Sequence, residues 1–156
     1  MRDLPDTFSL PQRLLHWTMV GLILLNLLFP QKMWYLLIPG FEQPLSMHIV
    51  IGLAVLLLAV LRLFLRLGFG VPPEPLGAPW FFRVFARTGQ WIFYLFFFAM
   101  PLTGLLAHYG HLPFALTLHT RVIQPLFWVL IPIHVSLALA HQYLWKTDML
   151  GKILRG

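Results

Sequence analysis

The chain has 156 residues, 59% of them apolar and only 10% charged, with a mean hydropathy of +0.79. A soluble domain carries roughly 25% charged residues, so a water-solvated globule is excluded and the expected solvent is a membrane. The net charge of +6 is then read as membrane topology, not as a nucleic-acid surface, and the lack of cysteine excludes disulfides, thiolate ligation and iron–sulfur clusters.

A bilayer core asks for about 20 apolar residues per spanning helix. Four runs meet this, at 10–29, 45–67, 89–106 and 119–145. They are continuous, which argues against the alternating pattern of a membrane β-barrel. The expectation is an all-α integral membrane four-helix bundle forming one domain over 1–156. Asp3 and Asp6 precede the first run, and bulky Phe29, Pro30 and Gln31 follow it where a cleavage site would need small residues. It is therefore read as a retained helix and not a signal peptide. Pro11 lies near its start, where a missing N–H is tolerated.

The connection at 31–44 carries Trp34 and Tyr35, suited to the membrane interface. The second run closes with Arg62 and Arg66, one helical turn apart, read as snorkelling to lipid headgroups. The longest connection, 68–88, contains Pro72, Pro73, Pro75 and Pro79, which oppose helix. Trp80-Phe81-Phe82-Arg83 follows and is expected to lie along the interface. In the third run Pro101 and Gly104 invite a kink and close packing, while Trp91, Phe93, Tyr94, Phe96, Phe97 and Phe98 are read as packing aromatics. The long fourth run contains Pro125 and Pro132.

Arg2, Arg13, Arg62, Arg66, Arg83, Arg87, Lys146, Lys152 and Arg155 fall on one side of a four-span chain, against Lys32 and Arg121 on the other. The positive-inside rule then puts both termini on the cytoplasmic side.

An imidazole inside a membrane span is a functional hypothesis by default. Matched by depth, His16 of the first run pairs with His134 of the fourth, and His48 of the second with His119. The fifteen residues from His119 to His134 rise about 22 Å and turn their side chains roughly 60° apart in an ideal helix. Two such pairs suit bis-histidine ligation of two haems held without covalent attachment, hence haem b, with no axial position left open. His108 and His111 flank Tyr109-Gly110 in a short periplasmic connection and could replace His119. His141 could replace His134, or stand beside a propionate or quinone, and one or two of Arg13, Arg62, Arg66 and Arg87, otherwise headgroup contacts, could pair with propionates.

At Arg13-Leu-Leu-His16-Trp17, Met47-His48, Arg62-Leu-Phe-Leu-Arg66-Leu, Ile133-His134 and Ala140-His141-Gln-Tyr143-Leu-Trp145-Lys146 the chain resembles the prokaryotic cytochrome b561 family, which includes superoxide oxidase. The resemblance implies a dihaem membrane domain with His16, His48 and His134 as ligands. It favours His134 over His141. The family's fourth ligand lies about fourteen residues before the third, whereas His119 lies fifteen before His134. A one-residue bulge near a proline of the fourth helix would reconcile the register. Gln90 stands where the superoxide oxidase branch suggests histidine, and the third connection is short for that branch.

The leading expectation is a b-type cytochrome carrying electrons between ubiquinone and a periplasmic partner. That partner is superoxide, which would make the chain a superoxide:quinone oxidoreductase of the respiratory chain, or a periplasmic redox protein. His141 and Lys146 are expected near the quinone. Steering of superoxide by Lys32 and Arg121, opposed by Glu42, is weak. The alternatives are a haem-bearing anchor subunit of a larger redox complex and a haemless scaffold whose histidines line a proton or metal path.

Overall fold

The computed structural model describes residues 5–29, 35–36, 45–73 and 77–155, with the backbone alone at 35, 36 and 45. Arg2, Lys32, Trp34 and Glu42, each given a role above, lie outside the described residues, as does the side chain of Tyr35.

Helix α1 spans Leu10–Leu28. The Gln12 side chain turns back to accept the Ser9 backbone N–H at 3.0 Å, satisfying a donor that the first turn leaves orphaned. Pro11 sits in that same turn. Helix α2 spans Met47–Phe69 and stops at Gly70, whose φ of 75° suits a residue without a Cβ. Before α2, Tyr35–Leu36 (β1) and Leu45–Ser46 (β2) form a two-residue antiparallel pairing that the composition did not suggest.

Helix α3 spans Trp80–His108, nine residues longer at its start than the apolar run. Pro79 precedes it at the cap, and no further proline interrupts 80–100, so the aromatic-basic segment becomes its first turns. At about 43 Å its 29 residues exceed the hydrocarbon core. Exposed Trp80 and Phe85 lie on this extension.

Helix α4 runs over Pro113–Tyr143. It starts six residues before the expected boundary because Pro113, at its first position, has a φ already suited to helix. Within it, Leu118–Ile123 is π-helical, and the Gln124 N–H bonds to His119 O, five residues back. The next residue, Pro125, offers no N–H and crowds the carbonyl four residues before it, so the turn ahead of it opens. The extra residue makes fifteen positions behave as fourteen and changes the ideal offset between His119 and His134 to about 40° of the opposite sense. Helix α5, Met149–Leu154, closes the described chain.

Among the described residues α2, α3 and α4 are long and apolar enough to cross a membrane. The 19-residue α1 is less apolar, with Gln12, Arg13 and His16 in its first half. Successive helices run antiparallel. At one end Gln12 Nε2 donates to Gly70 O (2.8 Å), Arg13 Nη1 to Leu154 O (3.3 Å) and Trp17 Nε1 to Ile153 O (3.4 Å), while Phe82 meets Trp145 with ring centres 4.6 Å apart. At the other, Asn26 Nδ2 donates to His48 O (3.2 Å). Two apolar clusters hold the helices. Met19, Ile51, Val55 and Ala59 join α1 to α2, and Leu27, Phe96, Ile123 and Phe127 join α1, α3 and α4.

Candidate functional site

The four histidines paired by depth meet as two pairs of rings. His16 of α1 faces His134 of α4 with ring centroids 6.4 Å apart, and His48 of α2 faces His119 of α4 at 6.0 Å. These separations are too long for a hydrogen bond between imidazoles. A metal–imidazole bond of about 2 Å on each side, plus about 1 Å from each nitrogen to its ring centre, gives roughly 6 Å between centroids. Both pairs therefore have the span of two rings gripping one ion in line.

His119 is the most completely oriented of the four. Its Nδ1 lies 2.9 Å from Met100 O and 3.3 Å from Thr103 Oγ1. A carbonyl only accepts, so Nδ1 carries the proton and Nε2 keeps its lone pair for a metal. Thr103 Oγ1 is itself committed to Ala99 O at 2.7 Å and Met100 O at 3.0 Å. Gly104 lets the ring come this close: a Cβ there would stand 3.0 Å from His119 Cε1.

His48 is positioned through its backbone by Asn26, and its Nδ1 is buried with no hydrogen-bond partner among the described residues. Gly52 follows one turn along the same face of α2, and a Cβ there would meet nothing within 4 Å. In the other pair, His16 lies against Trp17 at 5.1 Å and His134 against Phe93 at 5.1 Å.

Among the described residues no group of three or more His, Cys, Asp or Glu side chains could hold a metal ion. A protein zinc site needs three or four such ligands. Two opposed imidazoles instead complete an ion whose remaining four bonds come from a macrocycle, so the donor set fits haem. Gly52 beside His48 and the protein-uncovered side chain of His134 leave room for one.

The remaining histidines lie elsewhere. His108 is the exposed last residue of α3, its ring 4.7 Å from Tyr109. His111 is exposed on a left-handed backbone at φ 50°. His141 is only 5% exposed, its Nδ1 3.1 Å from Thr147 Oγ1 and its ring 4.8 Å from Trp145. Lys146 is exposed on the left-handed turn that follows.

One residue read as a headgroup contact, Arg66, behaves differently. Arg66 Nη1 donates to Gln90 Oε1 at 2.8 Å, and the guanidinium lies 5.0 Å over Trp91 and 5.7 Å over Tyr94. Its position near the end of α2 suits both snorkelling and an inward course, and only the placement of α3 separates the two.

The prokaryotic cytochrome b561 family profile matches residues 7–156, nearly the whole chain. Cytochrome b562 of Cereibacter sphaeroides is 31% identical over 147 residues, covering 90% of each chain. Facing imidazoles, helices long enough to span a bilayer, and these matches agree: the chain belongs to the prokaryotic cytochrome b561 family.

Proposed function

We propose that this chain is a four-helix inner-membrane electron carrier with both termini in the cytoplasm, holding one haem b between His16 and His134 and a second between His48 and His119. The observation that carries the reading is the pair of imidazole separations, 6.4 and 6.0 Å, each between different helices. The π segment at Leu118–Ile123 supports it by restoring the register between His119 and His134. Arg13, Arg62, Arg66, Arg83, Arg87, Lys146, Lys152 and Arg155 gather at the end bearing the His16–His134 pair, which the positive-inside rule assigns to the cytoplasm.

Haem b held by two imidazoles supplies a one-electron iron couple with no open coordination position. The chain's own residues set where that couple sits. Met100 fixes the tautomer of His119, Asn26 fixes the start of α2 under His48, and Phe93 backs the ring of His134. Phe93, Phe97 and Phe127, with ring centres 5.8 to 6.4 Å apart, fill the interior beside the His16–His134 pair. Electrons pass between a periplasmic redox protein and ubiquinone at the cytoplasmic end. There His141, hydrogen-bonded to Thr147, and Lys146 supply polar groups to the quinone. The weak positive field on the periplasmic side favours a protein partner over steered capture of superoxide.

The test is haem stoichiometry. Purified protein should show a reduced-minus-oxidised α-band and two haems per chain. His16→Ala and His134→Ala should each remove the same haem, His48→Ala and His119→Ala the other. His108→Ala and His111→Ala should keep both. A folded colourless protein, or losses that group differently, overturns the assignment.

A further inference from the structure

Beyond Met19, the face of α1 that packs on α2 ends in an amide. Met19 is buried with Ile51, Val55 and Ala59 of α2, and Leu22 and Ile23 pack on the same cluster. Asn26 follows Met19, Leu22 and Ile23 by seven, four and three residues, so it continues their stripe. On α2, His48 precedes Ile51 by three residues and Val55 by seven, and continues the facing stripe. The two residues meet where the stripes end: Asn26 Nδ2 donates to His48 O at 3.2 Å.

That bond fixes which end of the amide is which, because a carbonyl only accepts. Asn26 Oδ1 is then the end left over, and it is buried with no hydrogen-bond partner among the described residues. His48 Nδ1 is buried and unpartnered in the same way. Polar atoms left unmade in low-dielectric surroundings are costly. These two are complementary. An imidazole that ligates through Nε2 carries its proton on Nδ1 and almost always donates it to an acceptor, and a carboxamide oxygen can only accept. For the opposing ligand, His119, Met100 O fills that role. As the second residue of α2, His48 has no preceding turn of its own helix to supply a carbonyl. Asn26 is the side chain already in contact with it.

We infer that Asn26 is the positioning residue of His48: its amide oxygen accepts the Nδ1–H of the haem-binding ring while its Nδ2 holds the backbone of the same residue. A hydrogen bond accepted from Nδ1 makes the imidazole a stronger donor to the metal. A stronger donor favours the oxidised iron and lowers the reduction potential. Asn26 thus holds the periplasmic haem below the potential it would have with an unpartnered His48. It is not a ligand, and its role rests on the two-haem reading above.

The experiment is potentiometric titration of the purified dihaem protein, followed in the α-band, for wild type, Asn26→Leu and Asn26→Asp. Each is repeated with His16→Ala, which keeps only the periplasmic haem. Asn26→Leu removes the acceptor at similar volume. The periplasmic midpoint should rise while the cytoplasmic one stays, and that haem should pass to an apo-globin competitor about 10- to 100-fold more readily. Asn26→Asp removes the Nδ2 donor but keeps an oxygen acceptor, and should hold the periplasmic midpoint at or below the wild-type value. An unmoved or lowered periplasmic midpoint in haem-replete Asn26→Leu overturns the inference. A midpoint that rises in Asn26→Asp as it does in Asn26→Leu overturns it too, as expected if the amide only clasps the two helices. If Asn26→Leu fails to keep the periplasmic haem, Asn26→Asp decides: loss of that haem or a raised midpoint overturns the inference, and retention at or below the wild-type midpoint sustains it. Wild type without two haems would instead defeat the two-haem reading itself, so the two failures are distinct.

Discussion

Replacing Gly104 with alanine puts a methyl group against the best-oriented histidine. The added Cβ would lie 3.0 Å from His119 Cε1 and 3.3 Å from its Nδ1. Carbon contacts relax at about 3.5–4.0 Å, so the ring must retreat by about 0.5 Å or more. Met100 lies one turn away on the same face of α3, and the retreat stretches the 2.9 Å bond from Nδ1 to its carbonyl toward the limit of hydrogen bonding. Losing that bond costs about 1 kcal/mol, and the overpacking costs roughly 1–3 kcal/mol more. Disturbing the outer partner of a ligating histidine typically weakens metal affinity about 10- to 100-fold. The assay is haem retention against an apo-globin competitor, followed by haem quantification. Gly104→Ala should lose the periplasmic haem about 10- to 100-fold more readily while the cytoplasmic haem is retained. Gly104→Val should not hold it at all. Two haems of unchanged affinity in Gly104→Ala would refute the claim that Met100 and Gly104 set the His119 ligand.

Other outcomes follow from the same geometry. His141→Ala should keep both haem spectra and slow quinone reduction; loss of a haem would make His141 a ligand. Gly21 is exposed on α1, and a Cβ there would meet nothing within 4 Å. Gly21→Ala should therefore raise stability by about 0.5–1 kcal/mol with both haems unchanged, measured as a higher unfolding temperature.

Trp80-Phe81-Phe82-Arg83 was legible as an aromatic-basic element but not as helix. Hydropathy marks where a helix enters the hydrocarbon, whereas the helix itself continues until a backbone constraint stops it, here Pro79. The course of α4 before Pro125 was legible only as a need for one more residue. Whether a proline kinks, breaks or widens a helix depends on which neighbours hold the freed carbonyls. For Arg66 the headgroup reading gives way to contacts with Gln90 and Trp91, because a long cationic side chain suits either direction until α3 is in place.

Four histidines and their depths were available from the sequence alone, because apolar run length sets how deep a residue lies in a membrane. The same holds for three of the spanning-length helices and for the exclusion of thiolate chemistry. Only the tertiary structure brought the rings within 6.4 and 6.0 Å and supplied Met100 as the orienting acceptor for His119. It also turned Arg66 inward onto Gln90 and the rings of Trp91 and Tyr94. Depth is a property of one helix against its solvent. Ring separation, tautomer and the partner of a buried charge are set between helices, by contacts that no stretch of a single run encodes.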